Sequence, residues 1–242
     1  MKENKNSNEV SSNEIGEIIE MGNEGNIEST SKIPNSSNIK SPSSYEIFLR
    51  TIQRANNLIS QHKSGVCKEN HYDSFRASVV LSISALDAFI RTLVVEKILI
   101  KLSEKEKPLS KELSDYIKGL LNQDALLESA RKDQFRNKVE KAIRNDFETK
   151  SFQGEYKINY YLELAGHKDI FEEISHSSNQ NKNRIRTDLE RYTKRRHIIA
   201  HCGDFDLNQI PHCENVIDKE YAQNCVKIVI LITEHINKIT TK

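Results

Sequence analysis

A chain of 242 residues, 36% of them apolar, is long enough for one substantial core with a tail and short for two. Its 36 Lys and Arg against 35 Asp and Glu exclude a global field that would draw the whole protein onto nucleic acid or a membrane, so any nucleic-acid contact has to come from a local patch. The four cysteines (Cys67, Cys202, Cys213, Cys225) form no CxxC pair, and no cationic stretch followed by an apolar core opens the chain, a pattern that predicts a reduced, cytoplasmic protein.

Residues 1–44 are rich in Asn, Ser and Glu, hold two of the four prolines and no aromatic residue, and carry four Lys against seven Glu. A segment of that composition cannot bury enough apolar surface to offset its ordering entropy, and it is expected to be a disordered polar tail. From Tyr45 the spacing becomes helical, so residues 45–242 are expected to form one helical domain.

"YEIFLRTIQRANNLISQH" sets Ile47, Phe48, Ile52, Leu58 and Ile59 near one stripe, and Gly65 in "SGVCKEN" breaks the run. A second, long helix is predicted from about Tyr72 to Ser103. Its apolar stretch Val79 to Ile100 has the length of a membrane span but carries Asp87, Arg91, Glu96 and Lys97, which marks a buried core helix. Beyond Pro108, "SKELSDYIKGLL" and "ALLESARKDQFRNKVEKAI" read as amphipathic helices. The stretch from Phe147 to Asp169, with Gly154 and Gly166, reads as irregular or only briefly helical. Another helix is predicted from near Asn183 to near Cys202, ended by Gly203, and Asp218 is the predicted N-cap of a last helix. No stretch offers several alternating strands, so the class is all-α.

The chemistry concentrates in "RRHIIAHCGDF", residues 195–205. On a helical wheel Arg196 falls with the apolar residues Ile185, Leu189, Tyr192 and Ile199, so its guanidinium is directed toward the core. Periodicity leaves two readings open: an arginine whose stem covers core surface, or one held for an anion. A guanidinium offers forked donors suited to phosphate, and a histidine exchanges protons near neutral pH. His201 lies in the last predicted turn, where Gly203 lets the backbone leave helical geometry and bring the imidazole to the same cleft; His197 lies about 40° from it on the wheel. Lys182, Arg184, Arg186, Arg191, Lys194, Arg195 and Arg196 face only Asp188 and Glu190 along this helix, a patch that can follow a phosphate backbone, although a charge run alone favours a solvated face with internal pairs.

Two His-Cys dipeptides, His201-Cys202 and His212-Cys213, suggest zinc, but adjacent residues on a helix diverge by about 100° and the usual gap between ligands is missing. Cys202 as a nucleophile lacks any base beyond its neighbour. On the long helix, Asp87 can pair locally with Arg91 or receive Arg196.

These residues resemble the HEPN (higher eukaryotes and prokaryotes nucleotide-binding) family, whose signature is an Arg, four to six residues, then a His. Here Arg196, "HIIA" and His201 match it, and His197 matches the polar residue that often follows the Arg. "FRASVVLSISALDAFIRTLV" is similar to the long helix preceding the motif in the RiboL-PSP-HEPN subfamily, and the resemblance spans roughly residues 45–240. It implies an all-α bundle that dimerises, joins two motifs in one cleft and cleaves RNA with no metal or other cofactor, in several cases as a toxin or phage-defence effector with a partner such as an antitoxin. Arg196 and His201 would be catalytic, His197 the polar motif position, and Asp87 the acid on the earlier helix that contacts Arg196. Lys182, Arg184, Arg186, Arg191, Lys194 and Arg195 would bind RNA. A non-catalytic member that binds RNA, a nucleotide or a partner protein is the rival reading; no membrane is implied. The stretch from about Glu104 to His176 departs from the pattern.

Overall fold

A computed structural model describes residues 41–60, 68–104 and 106–241. The predicted tail up to residue 40, and the break at Gly65, lie outside the described residues. The first helix, α1 (Ser44–Ser60), begins just beside the expected boundary. A capping box starts it: the Glu46 backbone N–H donates to Ser43 Oγ at 3.2 Å and the Ser43 N–H donates to Glu46 Oε2 at 2.7 Å. Phe48, Ile52, Ala55 and Ile59 recur at helical spacing and are buried against α2 (Lys68–Ser103).

The helix α2 is the spine. Val79, Ile83, Leu86, Ile90, Val94 and Ile98 are fully or almost fully buried, and other elements pack around its several sides, so it is apolar on nearly every face. It is the one helix among the described residues long and apolar enough to cross a membrane, and its apolar stretch is mostly buried inside the fold, as a core helix.

After Pro108 come α3 (Lys111–Leu120), capped by Ser110, and α4 (Gln123–Arg131), capped by Asn122. The second amphipathic stretch is two helices rather than one. Asp133 takes a left-handed conformation (φ 55°) and α5 (Phe135–Glu148) follows. An unbroken helix would set Leu126 and Val139 about 140° apart, whereas the break lets both reach the core.

The stretch expected to be irregular or only briefly helical contains a ten-residue helix, α6 (Glu155–Leu164), and a nine-residue helix follows it, α7 (Ile170–Ser178). Gly154 (φ 85°) and Gly166 (φ 92°) mark the boundaries of α6 rather than a lack of structure. Phe147, Phe152 and Tyr161 form an aromatic cluster beside them, with centroids 4.4 to 5.2 Å apart.

The helix α8 (Lys182–Cys202) starts within a residue of the expected Asn183, at the N-cap Asn181, and ends at Gly203 (φ 59°) as the sequence predicts. A short ribbon not foreseen from sequence, β1 (Phe205–Asp206) against β2 (Cys213–Glu214), leads to α9 (Lys219–Thr240), capped by Asp218 Oδ1 accepting from the Tyr221 N–H at 2.7 Å. Both α8 and α9 pack on α2, giving an all-α bundle around one core.

Candidate functional site

The site is built where α8 ends. Ile185, Leu189 and Tyr192 bury one stripe of this helix and so fix its rotation. The N–H groups of Gly203 and Asp204 both turn back to the Ile198 carbonyl, and Asp204 adopts the left-handed conformation (φ 67°), which aims its side chain inward.

Asp204 is 0% exposed. Two arginines neutralise its carboxylate. Arg76 of α2 donates from Nε to Oδ2 at 2.8 Å; Arg195 donates from Nη2 to the same oxygen at 2.8 Å. Arg195 Nε also lies 2.7 Å from Oδ1, an ion-pair distance reached off the hydrogen-bond axis. Asn215 completes the knot: its backbone and side-chain nitrogens donate to the Asp204 carbonyl at 2.8 and 2.7 Å, and its own carbonyl accepts from both arginines. Burial disfavours the charge on Arg76, but Asp204, Glu214 and Asp73 outweigh it and hold its pKa above the ordinary value. Helix, spine and ribbon are thus tied at one buried carboxylate.

Arg196, the next residue, is different. It is half-buried on the core side, as the wheel predicts, and its Nε is buried with no hydrogen-bond partner among the described residues. The other six cations of the basic stretch each face a carboxylate: Lys182 Glu172, Arg184 and Arg191 Asp188, Arg186 Glu155, Lys194 Glu190, and Arg195 Asp204. The patch is therefore internally paired in the free chain, and Arg195 is a strut rather than a surface contact.

His197 and His201 are exposed and stack on one another, with ring centroids 4.4 Å apart and planes tilted by 45°. The helix stays regular through Cys202, so the backbone does not turn His201 back toward Arg196. Five helical positions leave the two side chains about 140° apart around the axis.

Asp87 does not meet Arg196. Its Oδ1 accepts from the Phe152 N–H at 2.7 Å and its Oδ2 pairs with Arg91 at 3.2 Å. Arg91 in turn donates to the Phe147 and Lys150 carbonyls and lies 4.9 Å above the Phe152 ring. Eleven residues of α2, roughly 16 Å of axis, separate Asp87 from the Arg76 end where the motif sits. The polar stripe fastens the 147–152 turn to the spine, and the acid beside the motif is Asp204.

The sequence reading missed Arg76, Asp204 and Asn215. A signal for Arg76 existed: it is in register with Val79, Ile83 and Ile90, a charge within a core stripe. Nothing local marked Asp204 as its partner, 128 positions away. Among the described residues no three His, Cys, Asp or Glu side chains gather closely enough to hold a metal ion, so the His-Cys dipeptides do not converge.

The sequence profile of the RiboL-PSP-HEPN family matches residues 47–241, nearly the whole described chain. The chain belongs to this family. Comparison with curated proteins and with solved structures gives no match. In this HEPN domain Arg196, His197 and His201, the residues that resemble the family signature, lie in the last turns of α8, and membership points to an RNA-related role of the nuclease kind.

Proposed function

We propose that the protein is a metal-independent endoribonuclease of the toxin or phage-defence type, acting as a homodimer with a composite cleft. The observation that supports this most is Arg196: alone among seven neighbouring cations it faces no carboxylate among the described residues, and it is next in sequence to His197 and five residues before His201, both exposed. A guanidinium held without an anion is available to a phosphate.

In this reading a neutral His201 takes the proton of a ribose 2′-OH. The freed oxygen bonds to the adjacent phosphorus, the bond to the 5′ oxygen breaks, and a protonated histidine returns a proton to that leaving oxygen. Arg196 stabilises the charge on the non-bridging oxygens. The products are a 2′,3′-cyclic phosphate and a 5′-OH. Acid-base assistance of this kind is worth about 10² to 10⁴ in rate, and loss of one preorganised donor costs roughly 3 to 4 kcal/mol. Because Arg196 and His201 diverge around their own helix, the reading pairs Arg196 of one copy with His201 of a second across a twofold axis.

The test is incubation of purified protein with mixed cellular RNA in EDTA, with mapping of fragment ends. Cyclic phosphate and 5′-OH ends that vanish in His201→Ala support the reading; intact RNA, or cleavage that survives His201→Ala, refutes it. In a bacterial host, expression of the wild-type chain arrests growth and the His201→Ala chain does not.

A further inference from the structure

A second cleft opens at the other end of α8, where the start of α6 leans against it. Its volume is about 580 Å³, and Gln153, Tyr156, Lys157, Asn183, Arg186 and Thr187 are among the residues that line it. That space exceeds what one nucleobase needs. Its charges cancel: Glu155 and Glu190 balance Lys157 and Arg186, with Arg186 held by Glu155 and Glu190 by Lys194. A cleft without net charge is a poor phosphate site and a good one for a neutral planar group. Tyr156 is 81% exposed, with no ring stacked on it among the described residues, so its face is open to a planar group. The amides of Gln153 and Asn183 and the Thr187 hydroxyl offer both donors and acceptors, which is what the edge of a base demands.

The position of the cleft connects it to the motif. Asn183, Arg186, Glu190, His197 and His201 all fall within about 60° on the wheel of α8, and all five are exposed. The helix is regular over this whole length, so one open face carries the cleft at one end and the histidines at the other. From Arg186 to His197 is roughly 16 Å of axis, about five stacked nucleotides at 3.4 Å each and fewer in an extended strand.

We infer that this cleft is a base-binding subsite for the same single-stranded RNA that is cut at His201, with Tyr156 stacking on a base a few nucleotides from the cleaved bond. The inference rests on the reading of His201 as the site of cleavage and adds a substrate-selecting site to it. Stacking of one base on an aromatic ring is worth roughly fivefold to a hundredfold in affinity.

The probe is a fluorescein-labelled 12-nucleotide single-stranded RNA of randomised sequence. Binding is read by anisotropy in the His201→Ala background, and base frequencies flanking the cut are read by fragment sequencing in the cleaving chain. Tyr156→Ala weakens 12-mer binding fivefold or more and erases a base preference at a fixed distance from the cut, while Tyr156→Phe retains both. Because Tyr156 is exposed, the variants keep the fold, which circular dichroism verifies. Affinity within twofold of the parent and unchanged base frequencies would overturn the subsite while leaving cleavage at His201 standing. Tyr156-dependent binding with no cleavage by the wild-type chain would keep the subsite and refute the nuclease reading. Competition by 5′-nucleoside monophosphates as strong as by the unlabelled 12-mer would assign the cleft to a free nucleotide and overturn the inference.

Discussion

Asp204 holds Arg195 at 2.7 and 2.8 Å, whereas the Nε of its neighbour Arg196 is buried with no hydrogen-bond partner among the described residues, so two adjacent arginines stand in opposite surroundings. One fastens the end of α8 to the spine and ribbon. In the proposed reading the other meets the phosphate.

The two single substitutions therefore separate. Arg195→Ala strands a buried carboxylate that keeps only Arg76, and the expected loss is several kcal/mol of stability, as for other broken buried pairs, or on the order of 10 °C in Tm. Arg196→Ala removes a half-buried guanidinium that faces no carboxylate among the described residues, and Tm is expected to change little while RNA cleavage disappears. Thermal unfolding followed by circular dichroism, beside a cleavage assay, gives both readouts; equal stability losses would show that Arg196 is a strut as well.

Asp87 is expected to matter for the 147–152 turn and not for the chemistry. Asp87→Ala leaves the buried Phe152 amide unpaired at a cost of roughly 1 to 3 kcal/mol, and that amide exchanges with solvent faster. Hydrogen exchange at Phe152 is the measurement. Lost cleavage with unchanged exchange would restore a link between Asp87 and Arg196.

How much of this was readable in sequence follows from which interactions are local. The caps at Gly203 and Asp218 and the inward bearing of Arg196 depend on neighbours within a few positions, and all were legible, whereas the Asn181 cap was not read. The fork at Asp133 was not, because a helix period alone does not show that Leu126 and Val139 must face the same core. Nor was the Arg76, Asp204 and Asn215 knot, which joins three distant segments. Local pairing correctly described Asp87 with Arg91, whereas the family resemblance placed Asp87 against Arg196 and was wrong on geometry.

Thiol reactivity follows burial. Burial pushes the Cys225 thiol well above its ordinary pKa, only partly opposed by Ser82 and Arg191, while Cys213 is exposed. Iodoacetamide at pH 8 is expected to label Cys213 in the folded protein and Cys225 only after denaturation, as peptide mass mapping would record. Rapid native labelling of Cys225 would mean that α9 opens readily from the core.

The internal pairing of the basic stretch sets the salt response. If the six paired cations keep their carboxylates and only Arg196 from each of two copies meets phosphate, the log-log slope of RNA affinity against salt is about −1.4. Titration of the 12-mer between low and high salt measures it. A slope steeper than about −4 would show that the paired cations leave their acids for the RNA.

The central claim, that Arg196 of one copy and His201 of another act on one phosphate, is tested most directly by complementation. Chains carrying Arg196→Ala and His201→Ala, differently tagged, are combined and the mixed dimer is purified. Each variant alone is expected to be inactive. The mixed dimer retains one intact Arg196 and His201 pair across the interface and is predicted to recover up to about half of wild-type cleavage. A mixed dimer as inactive as its parents would contradict a site shared between copies.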